Sequence, residues 1–288
     1  MTKITVFTPT YNRSYTLERL YHSLIVQTNK NFEWLIVDDG STDETVEMIK
    51  KFINEKKISI RYCFQENLGK AMAHNCGIKM INTELFTCVD SDDYLTENAV
   101  DVILTTWNNI TNAIGIVAKR IKPDGSELTI MKNGKIYSTL KEAYDSGNLS
   151  GDTFLVYKSS EIRKYQFPHF SGEKFIPEAY LYDKLDQIGK MYLLNEGLYI
   201  SEYLEDGYTR NFDKVIAHNP NGYMVYLKQR LELDTDFKDR YLDIARIISI
   251  LFVLKKRKLV NNHRFISLIA YPLGYFLYIK RFKKWEMK

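Results

Sequence analysis

Apolar and polar positions change rhythm in a regular way over the first hundred residues. Ile4–Thr8 is a β-prone apolar run, ended by the polar turn Pro9-Thr10-Tyr11-Asn12-Arg13. Leu17, Leu20, Tyr21, Leu24 and Ile25 then recur at helical spacing. Phe32–Val37 reads as a second strand and stops at Asp38-Asp39-Gly40-Ser41-Thr42-Asp43. Ser41 or Thr42 can cap a following helix whose apolar face is Val46, Ile49, Phe52 and Ile53. Ile58–Phe64 is a third strand, and Asn67-Leu68-Gly69-Lys70 opens a helix to about Ile81. The fourth strand, 85–89, ends abruptly in Asp90-Ser91-Asp92-Asp93.

Strands separated by helices of this length predict an α/β fold with a Rossmann-like, mostly parallel, doubly wound sheet. Beyond about residue 110 the pattern is shorter and mixed. Ala113–Arg120 and Leu198–Ser201 read as strands, and Pro123-Asp124-Gly125 as a hairpin turn. Helices take over from about 213, and 241–279 reads as a helical tail. The division expected is 1–212 (halves 1–110 and 111–212) and a basic amphipathic helical region 213–288, with no internal repeat and no low-complexity linker.

Composition adds little until it is divided. The 288 residues are 45% hydrophobic and 26% charged, which is ordinary for a globular chain. Three cysteines without a CxxC spacing suit a reducing, cytoplasmic compartment. Met1-Thr2-Lys3-Ile4 runs straight into a strand, so no secretory leader is expected. The net charge of +4 conceals eleven Lys/Arg against two acids in 241–288, a segment at +9 that leaves −5 on the remainder. Such a split points to a polyanionic partner for the tail. Phe265–Ile279 is uncharged for fifteen residues but interrupted by Pro272 and Gly274. It is short of a membrane span, and predicts helices lying in the interface of an anionic leaflet, on the inner face of the cell membrane. A helix docked on the rest of the chain, or an oligomer contact, is the plainer alternative. Nucleic acid is not expected, because the cations clump around apolar stretches.

Three polar clusters follow the first, second and fourth strands, and a parallel sheet brings such ends to one edge. Alone, Asn12 fits a helix cap and Asp39-Gly40 a plain turn. Together they suit a nucleoside diphosphate with a hard divalent cation. Asp39 can accept the N3–H of a uracil ring, and Thr10–Arg13 offers backbone donors, an aromatic ring and a cation. Asp90 and Asp92 can hold a ribose and the metal. An EF-hand is a poor fit, with Leu95 at the glycine position and Asp101 at the bidentate glutamate. The chain has neither GxGxxG after the first strand nor a GxxxxGK[ST] loop. Thr8-Pro9-Thr10 stands where a phosphoacceptor receiver domain wants its acidic pair.

Five motifs in order then carry a resemblance. They are Thr8-Pro9-Thr10-Tyr11-Asn12-Arg13, Val37–Asp43, Asn67-Leu68-Gly69-Lys70-Ala71, Ala73-His74-Asn75-Cys76-Gly77 and Val89–Asp93. Over roughly residues 3–105 the chain resembles the inverting family 2 glycosyltransferases with the GT-A fold, of the bacterial surface-polysaccharide type. The resemblance implies a UDP-sugar donor bound with Mn²⁺ or Mg²⁺. Asp39 would bind uracil, Asp90 and Asp92 would form the metal-holding DxD, and Pro9, Tyr11, Asn12, Arg13, Asn67, Lys70 and Ser91 would line the nucleotide. Gly172–Glu178 resembles the segment where the family keeps its base. Pro177-Glu178 stands in place of a more usual Glu-Asp, so Glu178 is the expected base, with Glu173 and Asp183 open and helix capping the plainer role for Glu178. Glu205–Arg210 resembles a later loop, from which Arg210 could reach the diphosphate; His218 could approach the same place, or serve packing or a surface bond. The activity implied is transfer of a hexose or N-acetylhexosamine to a hydroxyl of a glycan carried on a polyprenyl diphosphate. A polyprenyl-phosphate acceptor, which needs no base, and a non-catalytic nucleotide-sugar-binding membrane scaffold are the alternatives.

Overall fold

The computed structural model describes residues 2–132, 136–201, 211–233, 236–256, 260 and 263–285. The chain divides into two compact units, one of residues 1–166 and 181–202, the other of 167–180 and 203–288.

The first unit is a mixed α/β layer structure. Its strands are β1 (Ile4–Thr10), β2 (Phe32–Asp38), β3 (Ile60–Phe64), β4 (Leu85–Cys88), β5 (Tyr94–Leu95), β6 (Gly115–Ile121), β7 (Thr129–Met131), β8 (Tyr137–Ser138), β9 (Leu149–Gly151), β10 (Thr153–Lys158) and β11 (Met191–Ile200). Its helices are α1 (Ser14–Ile25), α2 (Thr45–Glu55), α3 (Lys70–Met80), α4 (Ala99–Asn109), α5 (Leu140–Asp145) and α6 (Ser159–Ile162), with most of α7 (Ala179–Leu185). The main sheet runs β3-β2-β1-β4-β10-β6-β11-β5, with β8 alongside β11. The first four strands are parallel, as their alternation with helices requires. β1 and β2 are buried throughout, so the polar residues within them are paired inside the sheet: Thr5 Oγ1 donates to Glu33 at 2.9 Å.

Helix α1 turns Leu17, Leu20, Tyr21 and Leu24 inward, and α2 contributes Ile49 and Phe52. Tyr21 stacks on Phe52 at 3.9 Å and 12°, and the Trp34 indole beside them donates to Thr8 Oγ1 at 2.9 Å. This aromatic block fixes α1 and α2 over β1 and β2, and therefore the loops leading into both helices.

Register aligns the strand ends that matter. Thr10 faces Asp38 across β1 and β2, and Phe7 faces Cys88 across β1 and β4. Asp39 N–H donates to Thr10 O, and Val89 N–H to Phe7 O, each at 2.8 Å. Farther across, β10 inserts antiparallel between β4 and β6, a strand absent from the local pattern. The hairpin at Pro123-Asp124-Gly125 is present, with Gly125 at φ +82°. β11 shifts register between Leu193 and Gly197 and again before Tyr199, which leaves Tyr199 opposite Arg120.

The second unit contains α8 (Phe212–His218), α9 (Pro220–Leu233), α10 (Phe237–Val253) and α11 (Arg264–Leu277), which continues as a π-helical turn over Tyr278–Phe282. Leu227, Ile244, Ile248 and Phe282 belong to its core. Asp243 is fully buried between Arg230, 2.6 Å away, and Arg246. Arg281 pairs with Asp213 at 2.7 Å. The segment 167–180 is tied to the α8–α9 junction and to α9: the amides of Lys174 and Phe175 donate to Asn219 Oδ1, and Gln229 donates to Tyr180 O. Among the described residues, no helix is long and apolar enough to cross a membrane.

Candidate nucleotide and metal site

The polar clusters after β1 and β2, together with the loop after β3, form one hydrogen-bonded rim. Asn12 takes a left-handed conformation, φ 51°, at the tip of the β1–α1 turn. Its N–H donates to Ser41 Oγ at 2.9 Å, and its side-chain oxygen accepts Thr42 N–H at 2.8 Å. Asn12 therefore ties two loops together, and Arg13 occupies the cap position of α1 instead. Ser14 donates through N–H and Oγ to Asp43, whose carboxyl these bonds and those from Thr45 hold below the usual range, against burial that would raise it.

Asp39 is buried and points toward the loop after β3. One oxygen accepts Gln65 Nε2 at 2.7 Å and Leu68 N–H at 2.9 Å; the other accepts Gly69 N–H at 2.8 Å. Gly40 leaves the space this requires, since a Cβ there would lie 2.8 Å from Asn67 N. The carboxylate thus binds the β2–α2 loop to the start of α3, and places Asn67 and Lys70 on the same rim. Lys70 reaches back to Asp90 at 2.6 Å.

Asp90, Asp92 and Asp93 present carboxylate oxygens that all lie within 4.8 Å of one another. The turn is closed by Asp93 N–H to Asp90 O at 3.1 Å, and Ser91 is buried inside it. Burial first, and then the charge of Asp90, push the carboxyl of Asp92 upward. Asp93 is pushed up to about 7 by burial and by Asp90, with the Arg120 guanidinium opposing. Crowded, partly dehydrated carboxylates suit a hard divalent cation, which relieves the repulsion between them. Asp90 and Asp92 have the exposure to ligate one, whereas Asp93 is turned to Tyr199 and Arg120.

Several contributors lie outside the motifs. Tyr199 and Arg120 brace Asp93 from β11 and β6, and Arg120 lies 4.2 Å over the Tyr199 ring. Arg19, on α1, donates to Asp92 O at 2.5 Å while stacked 4.8 Å over Tyr94. Local spacing gives no sign of these, because each meets the acidic turn from a distant element. Of the residues expected around a nucleotide, Pro9 is buried in β1 and Tyr11 stands at the rim, 45% exposed. Arg13 reaches the Tyr15 hydroxyl at 2.5 Å.

The expected base candidates differ in their surroundings. Glu173 accepts Asn221 N–H and Gly222 N–H, at 3.0 and 2.7 Å, and the Asn221 side-chain amide at 2.7 Å. It is a cap for the start of α9. Glu178 is half-buried, immediately before α7, and Asp183 lies within α7. His218 Nδ1 is 2.8 Å from Lys214 O in its own helix, an exposed local bond. Arg210 lies outside the described residues.

The parallel-sheet edge carries an acidic turn beside a hydrogen-bonded polar rim, and comparison with solved structures shows that the fold is of the GT-A type. Residues 5–161 match the model of Glycosyl transferase family 2, and the chain belongs to that family. It is 30% identical over 212 residues to glycosyltransferase GlyA of Streptococcus pneumoniae, covering 68% of this chain and 30% of that protein. To glycosyltransferase GlyG of the same organism it is 28% identical, covering 68% of this chain and 69% of GlyG. The chain thus spans under a third of GlyA's length. Staphylococcus aureus TarS 1–349 in complex with UDP-GlcNAc shares the fold, with TM-score 0.61, 18% identity, 99% of this chain covered and 92% of that one. A mannosyltransferase from Pyrobaculum calidifontis, solved with GDP-Man and Mn²⁺, matches with TM-score 0.56, 15% identity, and 99% and 82% covered.

Proposed function

We propose that the protein is an inverting glycosyltransferase. It moves a hexose or N-acetylhexosamine from a UDP-sugar to a hydroxyl of a lipid-linked cell-surface glycan, at the cytoplasmic face of the membrane. The observation that carries this reading is the joining of three loops and one acidic turn at a single sheet edge, through Asn12–Thr42, Asp39–Gly69 and Lys70–Asp90. In support, TarS is named a poly(ribitol-phosphate) beta-N-acetylglucosaminyltransferase and is similar over 48% of this chain.

In this reading residues 1–212 are the catalytic domain, and 213–288 the helical basic region that meets an anionic leaflet. The uracil lies against Asp39, whose carboxylate is already aligned by the loop after β3. Tyr11, Arg13 and Asn67 border the nucleotide, Ser91, buried inside the acidic turn, supports that turn from within rather than touching the nucleotide, and Lys70 and Arg210 serve the diphosphate. Asp90 and Asp92 would hold Mn²⁺ or Mg²⁺, which supplies positive charge opposite the departing diphosphate. Glu178 takes the proton of the acceptor hydroxyl as its oxygen attacks the anomeric carbon. Holding donor and acceptor in line contributes the rest of the rate.

The test is a panel of UDP-sugars offered to the full chain with Mn²⁺, with bound nucleotide and released UDP measured. One or two donors should be bound and slowly hydrolysed, and chelator should abolish the release. Binding of none of them, or release undiminished in chelator, removes the reading.

A further inference from the structure

Helix α11 has its large apolar residues on the outside. The positions it buries are small: Ser267, Ala270 and Gly274. Gly274 lies so close to α10 that a Cβ there would sit 2.6 Å from Ile248. The opposite stripe is Phe265, Leu268, Ile269, Pro272, Phe276 and Ile279, at i, i+3, i+4, i+7, i+11 and i+14. All six are exposed, Phe265 by 73%, Leu268 by 61% and Phe276 by 56%. A helix facing water shows the reverse arrangement. A continuous apolar stripe of this kind marks a surface that something else covers.

The rim of the stripe shows what that is. Residues 264–285 contain no Asp or Glu. Exposed cations stand at both ends: Arg264 at the start of α11, Lys280, Lys283 and Lys284 beyond its end, and Lys255 and Lys256 after α10. Trp285 lies between Lys284, 5.0 Å from its ring centroid, and Lys214 at 5.9 Å. Aromatic rings and cations of one sign around an apolar face match the boundary of an anionic bilayer, with acyl chains under the face and phosphates under the rim. The small seam toward α10 is the packing used by helices whose outer face meets lipid. Not all of the tail's charge takes part, since Arg246 and Arg281 pair with Asp243 and Asp213 inside the unit.

We propose that α11 and the turn that continues it lie flat in the interface of an anionic leaflet, the six apolar residues of the stripe among the acyl chains and the flanking cations at the phosphates. The proposal deepens the membrane-surface part of the function proposed above and rests on it, but not on the transferase chemistry.

The experiment uses the full chain with phosphatidylcholine vesicles, with and without phosphatidylglycerol. Wild type should sediment with the anionic vesicles and little with the neutral ones. Leu268→Asp combined with Phe276→Asp should weaken that partitioning about tenfold or more. Acyl chains brominated near the headgroup should quench tryptophan fluorescence, and Trp285→Phe should remove the quenched component. Circular dichroism and UDP-sugar binding of the double variant should equal wild type, which separates this outcome from a failure of the donor site. Equal sedimentation of the double variant and wild type overturns the proposal, as does the absence of quenching. A lipid-free dimer that the double variant converts to monomer also overturns it, because the face would then join two copies.

Discussion

The phenol of Tyr199 donates to Asp93 Oδ2 at 2.7 Å, and its oxygen accepts the N–H of Asp90 at 3.1 Å. A fully buried residue near the end of β11 thus holds both ends of the acidic turn that follows β4. Tyr199→Phe keeps the ring and its stacking with Arg120 but leaves the Asp90 amide and one Asp93 oxygen without this partner. The expected cost is about 1–3 kcal/mol, the penalty for stranding a buried polar group. Chemical denaturation measures it. A Mn²⁺ titration of the same variant should show weaker binding, because the turn that presents Asp90 and Asp92 has lost its brace. Unchanged stability and unchanged Mn²⁺ affinity would show that the phenol is incidental.

Asp93 also gives the metal-free protein a pH dependence. Its folded carboxyl titrates at about 7, raised by burial and by Asp90. In the unfolded chain an aspartate titrates near ~3.9. Between these values the folded state binds the proton more readily, so stability falls as pH rises through the window. In chelator, the melting temperature of wild type should fall from about pH 4 to 7, and Asp93→Asn should flatten that fall. A slope that survives the substitution would have to come from other groups.

The first 110 residues were readable because β1, β2 and β4 are mostly buried runs that end in polar clusters and β3 is a half-buried run between two helices, so these strands and the loops after them are local features of the chain. The rest depends on pairings that local spacing does not encode. Tyr199 meets Asp93 only because β11 lies two strands beyond β10, which nothing in its own composition places between β4 and β6. Glu173 stands open as a base in the sequence, yet its partners are Asn221 and Gly222 at the start of another helix. Asn12 reads as a helix cap and is instead a tie between loops. In the tail, eleven cations look alike until Arg246 and Arg281 are found paired with acids within the same unit.

Asp92→Asn separates stability from function. The carboxyl of Asp92 is raised by burial and by repulsion from Asp90, so removing its charge relieves a strain in the metal-free fold. The melting temperature in chelator should stay level or rise. Transfer from a UDP-sugar should nevertheless fall by roughly 10²-fold or more, the usual loss when one charge-stabilising contact is removed. A variant that loses activity and folding together would assign Asp92 a structural role.

The sharpest comparison is between Glu178 and Glu173, five residues apart. An acceptor hydroxyl is a weak nucleophile at neutral pH, so an inverting transfer to it requires a base. Glu173 spends both oxygens on the α9 N-terminus, which commits it to holding that loop. Glu173→Gln should therefore cost about 0.5–2 kcal/mol of stability, as the loss of a helix cap does, and leave most of the transfer rate. Glu178 follows Pro177 at the entrance to α7, and Glu178→Gln keeps its size and polarity while removing the basic oxygen. Transfer should fall by about 10²–10⁴-fold, the usual worth of a general base. UDP-sugar binding and melting temperature should be nearly unchanged. The opposite pattern, with Glu173→Gln inactive and Glu178→Gln active, would move the base to Glu173. If both variants and Asp183→Asn all transfer normally, the acceptor is already an anion, and a polyprenyl phosphate takes the place of the hydroxyl.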